Sequence, residues 1–361
     1  MQLLNRRFAD LATIARGRRR TLSVAVAIAL AALTSAGDTT LAASAEKFGM
    51  NYDFLNVDKT ALSLCGSEKG KAAAVKGQAF LVRYQEPGVR QTVLKALTNM
   101  RKSGFGGIRV IVWFAHQKDA GANLFNIDDP SLATKNISEF ASDLSSLGYS
   151  HFYLAFGPQG NAKVTCRQQT WGDCFDPQQI GKSVAFILKV RQALDASPHP
   201  ALYVDLQNSG AMTSANAQQQ MGSNMDRYLS TLLKAYSHEF PHDLTTISIQ
   251  GRNTGDRSEF VFKVYEEAGL EPSYLDFHIY RSDPASLAQI GEALRSARTR
   301  LPVVIGEAAY GNPGAVAAIS SLLAPYDPAG VPIYFWPLRD VGGDCGVDTA
   351  PPYDLTWLSV R

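Results

Sequence analysis

The chain has 361 residues, of which 45% are hydrophobic and 19% charged, a composition typical of a globular protein long enough for one large core. Its formal net charge is +2, but six arginines and two aspartates lie in the first 45 residues, and the rest carries 29 positive and 31 negative side chains, a net charge of −2. No basic patch therefore suggests a nucleic-acid-binding protein.

The N-terminus has the layout of a secretory signal peptide. A basic leader is followed by an apolar run over 22–36 and by an A-x-A cleavage site that ends at Ala45. We therefore predict a signal peptide over 1–45 and a mature domain over 46–361, located in the periplasm or outside the cell. An uncleaved anchor is the alternative, although the apolar run is short for a membrane span. The pair Arg19-Arg20 leaves Sec and twin-arginine export both open.

Short apolar runs alternate with amphipathic helical patterns along the rest of the chain. The predicted strands cover 48–52, 108–114, 152–156, 202–206, 246–250, 275–280, 303–307 and 333–336. The predicted helices cover 89–103, 137–147, 180–194, 225–236, 258–268, 284–300 and 315–323. This alternation indicates right-handed βαβ units and a parallel sheet, and eight such units favour a single (β/α)8 TIM barrel of the α/β class. An open doubly wound sheet is the alternative, but no G-x-G-x-x-G motif follows the first strand.

All four cysteines lie in the predicted mature part, and an even number in an exported chain indicates two disulfides. Cys166 and Cys174 are close enough in sequence to staple one loop. Cys65 follows the first strand and Cys345 the last, and these strands are neighbours in a closed barrel. We therefore expect the second disulfide to close the barrel seam.

The carboxyl ends of the strands carry the chemistry of such barrels, and the seventh apolar run ends in a single carboxylate, Glu307. Amide and aromatic side chains follow the other strands. This mixture suits a sugar, because amides and carboxylates match hydroxyl groups while flat aromatic rings stack on pyranose faces. The candidate substrate-binding residues are Asn51, Tyr52, Asn208, Gln250, Tyr310 and Trp336.

Two motifs here resemble those of the clan A glycoside hydrolases, the (β/α)8 glycosidases that include the family 5 cellulase-like enzymes. The sequence VIGEA over 304–308 resembles the motif of the seventh strand, which implies that Glu307 is the catalytic nucleophile. The sequence FHIY over 277–280 resembles the motif of the sixth strand, which implies that His278 and Tyr280 orient this nucleophile.

Two single residues extend the resemblance. Arg109 on the second strand is similar to the arginine that keeps the nucleophile ionised, and Trp336 on the eighth is similar to the tryptophan that floors the sugar subsite. The resemblance implies hydrolysis of a β-linked polysaccharide or oligosaccharide.

The second carboxyl group departs from the family pattern. Retaining glycosidases need two carboxyl groups about 5–5.5 Å apart, one as nucleophile and one as general acid and base. In clan A the acid belongs to an Asn-Glu pair that ends the fourth strand, whereas here Ser209 follows Asn208. The alternative proton donors are Asp205, Asp340, Asp344 and Glu86.

Two functions therefore stay open: a glycoside hydrolase, and a catalytically degenerate barrel that binds carbohydrate. A serine triad of Ser209, His278 and Asp205 is a further alternative, but it lacks the G-x-S-x-G elbow. We expect no metal and no cofactor, because the cysteine spacing does not fit a zinc site and the aspartates near Asp344 lack the EF-hand pattern. We expect a monomer whose partner is a poly- or oligosaccharide, with no nucleic acid and, after signal cleavage, no membrane.

Overall fold

The structure is a computed structural model that describes residues 48–52, 80–115, 124–158, 179–210, 224–250, 254–279, 288, 290–291, 301–309, 321–322, 325, 332–336, 338–341 and 344–347. All of these belong to one compact unit, Ser44–Arg361. The predicted signal peptide and three of the cysteines (Cys65, Cys166 and Cys174) lie outside the described residues. Among the helices of the described part, none is both long and apolar enough to cross a membrane.

Most strands fall where the apolar runs predict them. In chain order they are β1 (Phe48–Asn51), β2 (Gly107–Ala115), β3 (Phe125–Asn126), β4 (His151–Pro158), β5 (Ala201–Asp205), β6 (Leu244–Thr246), β7 (Ile249–Gln250), β8 (Leu275–Ile279), β9 (Val303–Ala309), β10 (Ile333–Trp336), β11 (Leu338–Val341) and β12 (Asp344–Val347).

Helices alternate with these strands. They are α1 (Pro87–Lys102), α2 (Ser131–Ser146), α3 (Ile180–Asp195), α4 (Asn224–Glu239) and α5 (Thr254–Glu267), and a short 3-10 helix, Phe80–Arg83, precedes α1. Residues 288, 290–291 and 321–322 are helical and lie within the predicted helices 284–300 and 315–323. Helix α2 begins earlier than predicted, at Ser131, whose N–H and hydroxyl donate to the Asp129 carboxylate in the turn before the helix.

The sheet is a nearly closed barrel of eight parallel strands. Neighbouring strands follow the order β6-β5-β4-β2-β1-β10-β9-β8-β7, with the fifth barrel strand divided between β6 and β7. The first and last barrel strands pair in parallel, with Phe48 opposite Ile333. The (β/α)8 TIM barrel is therefore confirmed, and the open doubly wound sheet is wrong.

The predicted fifth strand, 246–250, is not continuous. β6 pairs with β5 and β7 pairs with β8, and Ile247 and Ser248 lie between them. The break is explained by a contact with β5, because the N–H of Ser248 donates to Asp205 Oδ1 at 3.1 Å instead of joining a strand ladder. A second difference follows β10, where the predicted loop is an antiparallel hairpin of β11 and β12.

The core has two layers, which the alternation of side chains along each strand separates. On β2, Ile108, Val110 and Val112 point outward and belong to the large apolar cluster between the barrel and its helices. Inside the barrel, a cluster of three tyrosines and Val304 forms a buried aromatic floor; the tyrosines are Tyr153, Tyr274 and Tyr334. Arg109 shares the inward face of β2 and lies above this floor, with its Cζ 4.9 Å from the centre of the Tyr153 ring.

Candidate active site

Arg109 is completely buried and binds four acceptors from three other strands or strand ends. Nη1 donates to Asn51 Oδ1 at 2.9 Å and to Glu307 Oε1 at 2.8 Å. Nη2 donates to Asn208 Oδ1 at 2.9 Å and to Asp205 Oδ2 at 3.3 Å. The rigid guanidinium fork therefore fixes two carboxylates and two amides at once.

The charge of Arg109 is maintained by its neighbours. Burial alone would lower the pKa of the guanidinium, but the Glu307 carboxylate and the buried acids around it reverse this effect and raise the pKa well above its ordinary value. The face of the Tyr153 ring adds a cation–π contact. Glu307 thus lies beside a permanent cation, which favours its ionised form.

His278 contacts the second oxygen of the same carboxylate. Its Nδ1 lies 3.5 Å from Glu307 Oε2 and 3.2 Å from Ser209 Oγ, and its Nε2 lies 3.5 Å from Asp276 Oδ2. Burial alone would lower the pKa of His278, but the carboxylates of Glu307 and Asp276 outweigh burial, so the pKa is raised. A protonated His278 can therefore donate towards Glu307.

A bulge in β9 turns Glu307 into the barrel. Asp276 of β8 pairs with Val304, but His278 pairs with Glu307, so two steps along β8 match three steps along β9. The register with β10 shifts in the same stretch. Since Val304 already faces the interior and Ile305 faces the helices, regular alternation would have sent Glu307 outward.

Two further carboxylates lie near Arg109, and both are completely buried. Asp205 accepts hydrogen bonds from the backbone N–H groups of Gln207 and Ser248, and burial raises its pKa to about 6. Asp276 accepts hydrogen bonds from the Tyr153 hydroxyl and the Gly306 N–H. Of these three acids, Glu307 alone has exposed surface, at 4% of the residue.

Ser209 lies in a strained turn after β5. Its φ is 55°, a left-handed conformation that residues with a Cβ rarely adopt. Its N–H donates to Ser248 Oγ at 2.6 Å, and its own hydroxyl contacts His278. The residue after Asn208 therefore carries a hydroxyl that contacts the histidine.

Ligand atoms of Asp205, Asp276 and His278 lie within 4.8 Å of one another, which is a spacing that could hold a metal ion. However, Arg109 Nη2 lies 3.3 Å from Asp205 Oδ2 and 3.4 Å from His278 Nε2. The guanidinium already neutralises this cluster, so these residues do not fit a cation site.

The structure brings five of the sequence-predicted site residues together: Asn51, Arg109, Asn208, His278 and Glu307. Tyr52 lies elsewhere, because it is 1% exposed and its ring packs 5.0 Å from the ring of Phe80 in the core. Gln250 ends β7 and Trp336 ends β10, and nothing is described of their side chains. Tyr280 and Tyr310 lie outside the described residues.

The alternative proton donors have different surroundings. Asp205 is buried, and Glu86 lies at the start of α1, where both of its oxygens bind the Arg83 guanidinium. In the β11–β12 hairpin, Asp340 pairs with Cys345 and Asp344 pairs with Val341, and only the backbone is described there. Sequence reasoning missed Asp276 and Tyr153, although Asp276 shares the inward face of β8 with His278 by simple alternation.

Comparisons with known proteins find similarity at the level of fold. No protein-family model matches the sequence, and no curated protein matches it significantly. The exo-beta-1,4-mannosidase Op5Man5 from Opitutaceae bacterium strain TAV5 is 14% identical over 83% of this chain and 57% of its own, with a TM-score of 0.50. A GH5_18 protein from Bifidobacterium longum subsp. infantis is 13% identical over 80% of this chain and 68% of its own, also with a TM-score of 0.50.

These neighbours are family 5 glycoside hydrolases with the clan A TIM-barrel fold, so the fold that the sequence motifs imply is confirmed. The chain spans little more than half the length of the mannosidase. At such low identity the likeness shows the barrel, and the activity has to be argued from the residues.

Proposed function

We propose that the protein is an exported glycoside hydrolase that acts on a β-linked polysaccharide or oligosaccharide, with Glu307 as its nucleophile. The observation that carries this proposal is the hydrogen bond of 2.8 Å between Arg109 Nη1 and Glu307 Oε1 at the carboxyl end of the seventh barrel strand. A buried cation there orients a slightly exposed carboxylate. The mannosidase with the same fold acts, by its name, on β-1,4-linked mannose.

Each group has a defined task in this reaction. Glu307 attacks the anomeric carbon, the bond from that carbon to the leaving oxygen breaks, and a glycosyl ester forms that water then hydrolyses. Arg109 holds Oε1 and His278 lies beside Oε2, so both oxygens are positioned before substrate arrives. Asn208, fixed by Arg109, has an amide nitrogen left to bind a sugar hydroxyl.

A second candidate function is a degenerate barrel that binds carbohydrate without cleaving it. It is favoured by the hydroxyl, rather than a carboxyl group, on the residue after Asn208, Ser209, and by the complete burial of Asp205 and Asp276. A serine hydroxyl does not protonate a leaving group near neutral pH. In the hydrolase, we propose that the proton comes from Asp340 or Asp344 of the β11–β12 hairpin.

Leaving groups of different acidity separate these functions. A 2,4-dinitrophenolate leaves without a proton, whereas the hydroxyl of a polysaccharide needs one. We would assay the full-length chain, Glu307→Gln and the control Glu259→Gln, an exposed acid on α5, against dinitrophenyl β-glycosides and a panel of β-linked polysaccharides, measuring release and binding together.

If the protein is a hydrolase, the wild type and Glu259→Gln should release product from these substrates, and Glu307→Gln should not. Loss of polysaccharide cleavage with retained dinitrophenyl glycoside cleavage in Asp340→Asn or Asp344→Asn would identify the proton donor. Equal polysaccharide binding by all variants, with no cleavage of either substrate type, would establish the binding barrel. Turnover by Glu307→Gln at the wild-type rate would exclude Glu307 as the nucleophile.

A further inference from the structure

Gly306, the residue before Glu307, is held on both sides by interior side chains. Its N–H donates to Asp276 Oδ1 at 2.6 Å, and its carbonyl accepts from Asn51 Nδ2 at 2.8 Å. A bulge disrupts the regular ladder and leaves backbone groups in need of partners. Here two side chains supply them, Asp276 from the neighbouring strand β8 and Asn51 from β1, which lies beyond β10.

Asp276 also fixes the space around the bulge. A Cβ built on Gly306 would overlap both carboxylate oxygens of Asp276, so the acid lies directly against the glycine backbone. The other oxygen of Asp276 accepts a hydrogen bond from the Tyr153 hydroxyl, which is part of the buried aromatic floor. The carboxylate therefore connects the rigid floor of the barrel to the bulge.

We propose that Asp276 is a positioning residue for Glu307. By holding Gly306 in the bulge, it turns the Glu307 carboxylate into the interior, where Arg109 binds it and where the anomeric carbon of a sugar would meet it. The proposal rests on the glycoside hydrolase function proposed above. Asp276 is completely buried and acts on the nucleophile through the backbone, without touching the substrate.

Asp276 also acts electrostatically on His278, and this effect has to be separated from its effect on Gly306. Its Oδ2 lies 3.5 Å from His278 Nε2, and its charge helps to raise the pKa of that histidine. Asp276→Asn keeps an oxygen that can accept from the Gly306 N–H but removes the charge. Asp276→Ala removes both, so the two variants distinguish positioning from electrostatics.

The kinetic test uses the full-length chain with 2,4-dinitrophenyl β-glucoside and β-mannoside as probes, since neither needs a proton donor. We expect Asp276→Ala to lower kcat roughly 100-fold with little change in KM, as a displacement of about 1 Å would. Asp276→Asn should be at least about ten-fold more active than Asp276→Ala, because it retains the acceptor for Gly306. Equal losses in both variants, or no loss in Asp276→Ala, would overturn the proposal.

A structural test needs no substrate. Crystal structures should show the contact between Arg109 Nη1 and Glu307 Oε1 broken in Asp276→Ala and kept in Asp276→Asn. If Asp276→Ala does not fold, Gly306→Ala tests the same bulge from β9 and should also break this contact. The control is Gly181→Ala on α3, where no atom lies near the added Cβ, and it should leave the contact intact. If the wild type cleaves no glycoside, the proposed function fails, but an intact contact in both Asp276→Ala and Gly306→Ala would still refute the positioning role.

Discussion

Arg109 and Glu307 meet across the interior of the barrel, with Arg109 Nη1 donating to Glu307 Oε1 at 2.8 Å. The two residues are 198 positions apart and lie on β2 and β9, which are separated in the sheet by β1 and β10. The pair is therefore a product of the closed barrel rather than of any local element. The residues around this pair lead to predictions about stability and titration that can be measured.

Replacing Arg109 with methionine should destabilise the protein strongly. The substitution leaves Glu307 and the buried Asp205 without their cation, and removing one partner of a buried ion pair costs about 3–5 kcal/mol. Urea unfolding of Arg109→Met and of the control Arg227→Met, an exposed arginine on α4, measures the difference. The control should change by no more than about 0.5 kcal/mol, and equal stability of the two variants would contradict the role of Arg109.

Asp205 should make the stability of the protein fall as the pH rises from 4 to 6. Burial raises its pKa from 3.8 to about 6 in the folded state, so the folded state binds the proton more tightly than the unfolded chain does. Its contribution is therefore complete below pH 4 and lost as the pH rises through 6. The stability of the wild type relative to Asp205→Asn should fall by on the order of 2 kcal/mol between pH 4 and pH 6, as measured by urea unfolding; a constant difference would contradict this.

The titration of His278 should report the charge of Glu307. Burial opposes protonation of His278, but the carboxylates of Glu307 and Asp276 outweigh it and raise its pKa. Stability from this histidine is therefore present below its unfolded pKa and lost as the pH rises through the folded one. Glu307→Gln should lower the pKa of His278 in NMR titrations, and Glu259→Gln should leave it unchanged; an unaltered titration in Glu307→Gln would show that the two groups are not coupled.

Replacing Ser209 with glycine should destabilise the protein less than replacing it with alanine. Both substitutions remove the hydroxyl contact with His278, but only glycine adopts a φ of 55° without the cost of a Cβ. We expect Ser209→Gly to be roughly 0.5–1 kcal/mol more stable than Ser209→Ala. At Ser142, inside α2, the same pair should differ by a similar amount with the opposite sign, and thermal unfolding of the four variants would show whether the signs differ.

The apolar runs predict the barrel well because buried parallel strands are short, apolar and regularly spaced. Arg109 is the one charged residue in the predicted second strand, and a charge in that setting requires buried partners. Its role at the centre of the site is therefore readable from the sequence. The inward face shared by Asp276 and His278 follows from alternation in the same way.

Features that depend on contacts between distant residues cannot be predicted from the sequence. The bulge in β9 reverses the side to which Glu307 points, and no local pattern in 303–309 indicates it, since its partners Asn51 and Asp276 lie on other strands. The break between β6 and β7 likewise depends on Asp205, which binds the N–H of Ser248 from β5. Both irregularities are set by side chains that occupy backbone hydrogen-bonding groups.

The break between β6 and β7 also divides the barrel into two pieces that are each continuous in sequence. The strands from β1 to β6 form one half and those from β7 to β10 the other. Arg109 and Asn51 belong to the first half, and Glu307 and Gly306 belong to the second. During synthesis, the first half would emerge with its buried cation still lacking Glu307, so the charge pair can form only when the halves join. The candidate active site thus also joins the two halves of the barrel.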